Sequence, residues 1–232
     1  MARKEQKAPS KEKDPYQKSE KKLLTPDSGF MYFLTKAGQV IILNLIWLLS
    51  CIPLVTIGTA TTSLYYAMMK NIRRSRGYPA AEYWNSFKRT LLKGCIFTVV
   101  FAAWLFLLYR LRLIVLVQET EYSMFLGRMY AALMAVTAAV LVYLFPVLSR
   151  FTMSMWAMVK LSFVMAVRYL GYTILILAGT AFLAFLQFYF LPMPTVFFLP
   201  GAWCYVCTFM IEKALRKYMP APGKDADAWY YE

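Results

Sequence analysis

The chain has 232 residues, 60% hydrophobic, 17% aromatic and 16% charged, with a mean hydropathy of +0.48. Soluble domains carry roughly 25% charged residues, so this balance excludes an ordinary water-soluble fold and points to a membrane protein. Lys and Arg outnumber Asp and Glu 26 to 12, for a net charge of +14. These basic residues lie between long apolar runs and form no nucleic-acid reader motif, so their expected partner is a bilayer with anionic headgroups, not nucleic acid.

Histidine is absent, which removes the commonest general base and the commonest metal ligand. The four cysteines, Cys51, Cys95, Cys204 and Cys207, all fall inside apolar runs and outline no secreted disulfide framework. Cys204-Tyr-Val-Cys207 has redox spacing, but it sits in an apolar helix without a βαβ context and reads as helix packing. No P-loop, zinc signature, paired carboxylates or serine elbow is present. The expectation is a protein that is not an enzyme and uses no metal or cofactor.

Residues 1–28 are polar, Lys-rich and broken by Pro9, Pro15 and Pro26. Such a segment buries too little apolar surface to offset its ordering entropy, and it is expected to be a disordered basic cytoplasmic tail rather than a signal peptide. The transmembrane domain is expected over 29–217. Asp27 or Ser28 caps a helix that crosses from about Leu34 to Ile52. Pro53 donates no backbone hydrogen bond and disfavours helix before it, so the chain turns there. Leu54 to Met69 would reach only about 24 Å as a helix, short of a roughly 30 Å hydrocarbon core. Charge nevertheless favours a returning hairpin. The Lys-rich tail lies before it and Lys70, Arg73, Arg74, Arg76, Lys88, Arg89 and Lys93 lie after it, and only a hairpin keeps both groups on the cytoplasmic side.

Pro79 suits a first helical turn, and 80–93 reads as an interfacial amphipathic helix with Tyr83, Trp84, Phe87 and Leu91 on one side and Lys88, Arg89 and Lys93 elsewhere. Gly94 to Val117 is the next span, with Arg110 and Arg112 snorkelling near its outer end. Gln118 to Arg128 reads as an outside loop. Met129 to about Ser149 returns, with a kink expected at Pro146. Arg150 to Arg168 is a second cytoplasmic amphipathic region. Gly171 to Leu191 goes out, Pro192-Met-Pro194 turns, and Thr195 to Ile211 comes back; 218–232 is a C-terminal cytoplasmic tail. All basic residues except Arg110, Arg112 and Arg128 then lie inside.

The expected fold class is therefore all-α: a polytopic transmembrane helix bundle of about six membrane segments. The first two form a short hairpin broken at Pro53, and both termini lie in the cytoplasm of a cell-membrane protein. The alternative is five crossings, with 54–69 lying along the surface and the tail outside. None of these spans contains Asp or Glu, Glu212 lying at a helix end, so a proton-coupled carrier lacks its usual intramembrane acid. The polar residues at depth are Asn44, Thr56, Thr61, Thr62, Ser63 and Gln187, which suit interhelical hydrogen bonds or a path for an uncharged solute.

Asn44-Leu-Ile-Trp47, Pro53-Leu-Val-Thr56-Ile-Gly58, the following Leu64-Tyr65 and the aromatic-basic run Tyr83-Trp84 to Phe87-Lys88 resemble the YesL-like bacterial membrane proteins, a family of uncharacterised function. Phe30 to Lys93 carries the match, and the rest follows only in its pattern of spans. The chain departs from that pattern at Thr59, where a proline often follows the glycine, and at Thr90, a frequent asparagine. The resemblance implies an accessory or regulatory partner of carbohydrate ABC uptake systems, docking on sugar permease subunits. It supplies no catalytic residues. The residues that would shape the hairpin are Asn44, Trp47, Pro53, Thr56 and Gly58. Those that would set the cytoplasmic interface are Tyr83, Trp84, Phe87, Lys88 and Arg89. The alternative expectation is a small permease or channel for a neutral polar solute, and a homo-oligomer is compatible with either.

Overall fold

The computed structural model describes residues 29–73, 78–117, 120–189 and 193–218. The expected tails, 1–28 and most of 218–232, and the turn at Pro192 lie outside the described residues. The chain divides into two units at Gly38, and the described part of the first is the opening of α1.

Seven α-helices occur among the described residues: α1 Gly29–Ser50, α2 Ile57–Ala67, α3 Pro79–Leu116, α4 Glu121–Arg150, α5 Met155–Arg168, α6 Leu170–Tyr189 and α7 Leu199–Leu215. Four stretches are long and apolar enough to cross a membrane: α3, α4, α6 and Thr195–Leu215, which joins a 3-10 turn at Met193–Phe197 to α7. Leu34–Ser50 is a shorter apolar helix. The chain is thus an all-α membrane protein. In a bilayer, moving Leu from lipid into protein gains little, so the helices must hold together by close packing and interhelical hydrogen bonds.

Pro53 turns the chain as its missing N–H requires. Behind α1, a 3-10 turn at Leu54–Thr56 leads into α2, which continues as a π-helical segment at Met68–Arg73. Only Ile57, Thr61 and Tyr66 of α2 escape full burial. A helix covered almost all round is a core element, not a surface one.

Two apolar clusters meet on α2. On one side Leu64 and Met68 join Leu43 of α1 and Tyr83 and Phe87 of α3. On the other, Tyr65 and Met69 join Tyr143, Leu144 and Val147 of α4, Met158 and Met165 of α5, and Ile211 and Leu215 of α7.

Two boundaries differ from expectation. No separate interfacial helix ends near Lys93; α3 runs unbroken for 38 residues from Pro79 at its first turn. Gly94, the one weak helix former at that junction, costs about 1 kcal/mol in propensity, too little to break a helix that packs there against Thr59 of α2. The expected loop 118–128 is mostly helix, because α4 starts at Glu121 on a capping box in which the Thr120 N–H donates to Ser123 Oγ at 2.9 Å. The usual signature carries Glu or Gln at the third position, so a Ser-based box escapes it. Farther on, α4 stays helical through Pro146.

Candidate functional site

The hairpin residues are clips that fix one backbone arrangement. Thr56 Oγ1 donates to the carbonyls of Ser50 at 2.6 Å and Pro53 at 2.7 Å, which closes the turn. Trp47 Nε1 donates to Thr61 Oγ1 at 3.4 Å, joining the two arms. Asn44 is fully buried, and its Nδ2 donates to the Val196 carbonyl at 3.1 Å. A side chain at Gly201 would meet Asn44 Cβ at 3.0 Å, so this glycine is what lets α7 approach.

Gly58 and Gly94 make a reciprocal seam between α2 and α3. The Gly58 N–H donates to Thr98 Oγ1 at 3.0 Å, and Thr59 Oγ1 donates to the Leu91 carbonyl at 3.3 Å. A Cβ at Gly58 would strike Thr98 Oγ1 and lie 2.7 Å from Phe145; one at Gly94 would lie 2.9 Å from Thr59 Cα. Small residues that bring backbones this close are the usual adhesive of membrane helices. Each of the five hairpin residues thus stands in a structural contact, Pro53 through its carbonyl, which accepts from Thr56 within the turn.

The interface residues split by direction. Tyr83 and Phe87, one turn apart, face inward and pack on α1 and α2. Trp84 is 47% exposed and touches the Phe87 ring edge-on at 5.4 Å, while Lys88 and Arg89 are exposed. The outward face is therefore Trp84 and Lys88, without the other two aromatics, and the exposed Arg89 lies on a neighbouring stripe of the helix.

Beside the hairpin lies a cavity of about 470 Å³, reached by Trp47 and Thr61 from one wall, Phe145 and Pro146 of α4 from another, and Thr180 and Trp203 of α6 and α7. Several of its polar side chains are hydrogen-bonded within the protein. Trp203 Nε1 donates to Thr180 Oγ1 at 3.0 Å, Trp47 Nε1 reaches Thr61, and Thr195 Oγ1 donates to Gln187 Oε1 at 2.9 Å. Pro146 has no N–H to offer the Val142 carbonyl, and both residues line the cavity. Lined mostly by apolar side chains, the space suits a largely apolar occupant. Residues 53–58, the helix break, do not line it.

One constellation was not visible in the sequence. Glu212 is 1% exposed, inside the bundle rather than at a solvated helix end. Its Oε2 lies 3.4 Å from Arg150 Nη2 and accepts from the Tyr65 hydroxyl at 3.3 Å; Arg216 Nε stands 3.9 Å from Oε1. The set ties α2, α4 and α7 at the basic end of the bundle. Nearby, Arg73 donates to the Thr208 carbonyl at 3.2 Å and lies 4.5 Å from the centre of the Phe209 ring. Arg150 closing an otherwise uncharged run, and Glu212 with a basic residue four positions on, were the available signals.

The fold and the hairpin define a helical membrane protein whose distinctive residues are packing and clip residues. Residues 40–110, which hold the hairpin and most of α3, match the family described as Protein of unknown function, DUF624. No curated protein and no solved structure matches the chain.

Proposed function

We propose that the protein is a YesL-like accessory or regulatory component of the bacterial cell membrane, acting by binding other membrane proteins and not by catalysis. Its partners are sugar permease subunits of carbohydrate ABC uptake systems; that context rests on the resemblance of the hairpin and interface residues. In this reading the chain crosses or enters the bilayer with six segments, α1 and the α2 arm forming the first two. Both termini are cytoplasmic, and α5 lies in the headgroups with Trp156, Phe163 and Val167 exposed beside Lys160 and Arg168.

The observation that carries binding over transport is the cavity. A neutral polar solute needs donors and acceptors turned toward it, whereas here the tryptophan and threonine groups are engaged within the protein. Much apolar surface is left uncovered on α3 and α6, including Val100, Phe106, Ile114, Ile174 and Phe182, all more than half exposed, enough to contact lipid and neighbouring helices alike.

Purification from native membranes in mild detergent tests the proposal against the permease alternative. Permease subunits should co-purify, and the protein alone in liposomes should leave sugar flux at the level of empty vesicles. Sugar uptake by the purified protein, lost in Asn44→Leu or Thr56→Val without loss of insertion, would reverse the choice.

A further inference from the structure

A second, smaller pocket of about 200 Å³ opens at the basic end of the bundle. One wall is a single stripe of α3: Ser86, Arg89, Thr90 and Lys93, spaced so that all four lie on one helix face. The opposite wall is the end of α4 and its linker, with Arg150 and Thr152, and Met158 of α5 contributes apolar surface. Lys93 Nζ donates to the Met153 carbonyl at 3.3 Å, which holds the lysine against the linker instead of in bulk solvent. None of the described lining residues is acidic.

The charges do not cancel inside this pocket. Glu212 lies on the other flank of Arg150 and takes up that charge, while Arg89 and Lys93 remain directed to the pocket side of α3. Arg89 and Lys93, with the ion-paired Arg150 behind them, focus a positive potential on this concave space. Arg offers a planar fork for oxyanions and Lys a mobile point charge, a pairing suited to a tetrahedral oxyanion. The Ser86 and Thr152 hydroxyls add neutral hydrogen-bonding groups. Ligand pockets for larger molecules start at roughly 300 Å³, so this one suits a phosphoryl group with a small substituent and not a nucleotide.

We infer that Arg89, Lys93 and Arg150, with Ser86 and Thr152, form a binding site for a phosphate monoester group. The group reaches it either on an anionic lipid headgroup or on a small soluble phosphorylated molecule. The site stands on its own geometry and does not depend on the identity of any protein partner.

The test uses the full chain in two settings. In neutral detergent it is titrated calorimetrically with glycerol 3-phosphate, with inorganic phosphate as competitor. In nanodiscs of phosphatidylcholine with or without phosphatidic acid, native mass spectrometry counts retained lipid. Saturable binding in at least one setting is expected, weakened at least about tenfold in Arg89→Gln/Lys93→Gln, as loss of charge-assisted hydrogen bonds requires. Lys217→Gln, exposed and outside the pocket, should bind as the wild type does. Binding of the soluble probe assigns the site to soluble phosphates, and retention of phosphatidic acid alone assigns it to headgroups. Should the double variant melt abnormally, Thr152→Glu, which places an anion at the exposed rim, should give the same loss. No binding in either setting, or equal binding by a well-folded variant, overturns the inference.

Discussion

Gly94→Ala adds one methyl group at the tightest point between α2 and α3. That methyl would stand 2.9 Å from Thr59 Cα and 3.0 Å from Thr59 N. Both are backbone atoms, so no rotamer change relieves the contact. Carbon atoms settle about 3.5–4.0 Å apart, and the helices must therefore separate by roughly 0.6–1 Å. Overpacking of this kind costs about 1–3 kcal/mol. Separation also stretches the 3.0 Å bond from the Gly58 N–H to Thr98, and its loss adds about 1 kcal/mol. Better helix propensity offsets about 1 kcal/mol. The expected net loss is about 1–3 kcal/mol, or roughly 2–12 °C in melting temperature for a chain of this size. Thermal unfolding in detergent, followed by tryptophan fluorescence, reads it directly. Gly171→Ala is the control: nothing lies within 4 Å of its Cβ position, so it should melt at or slightly above the wild type. A Gly94→Ala protein that melts as high as wild type while the control behaves would refute the seam.

Other substitutions follow the same contacts. Glu212→Leu strands Arg150 in the core and should cost about 3–5 kcal/mol, and Arg150→Met added to it should restore most of the lost melting temperature; an unchanged single variant would remove the buried pair from the account. Asn44→Leu loses the bond to the Val196 carbonyl and crowds Gly201, for a loss of about 1–3 kcal/mol in the same melting assay. For threading, Tyr78→Cys and Tyr122→Cys, 66% and 71% exposed, are made in a cysteine-free background. An impermeant maleimide should label position 122 on intact cells and position 78 only after the inner face is opened; the reverse pattern would invert the topology.

The local signals for the hairpin could be read without a structure. Pro53 cannot continue a helix, and Pro79 suits a helix start; both hold as expected. The paired tryptophan and asparagine were visible as residues, but not as clips, because Thr61 and Val196 meet them only through the tertiary fold. Tyr83 and Phe87 share a face with Trp84 on a helical projection, yet the burial of the first two depends on where α1 and α2 pass. Periodicity finds an aromatic stripe; it does not say which edge of the stripe meets protein. Glu212 was hidden for a similar reason. Its partner Arg150 is 62 positions away, and each alone looks like a charge marking the end of an apolar run.

The outward face of Trp84 and Lys88 is the place where binding to another membrane protein should be visible. A photoreactive amino acid at position 84 or 88, activated in native membranes and followed by mass spectrometry of the adducts, gives the most direct test. Capture of sugar permease subunits from these two positions, and not from the buried position 83, is the expected result. Adducts containing only lipid or a second copy of this chain would contradict the accessory role and point to a self-assembling channel or carrier.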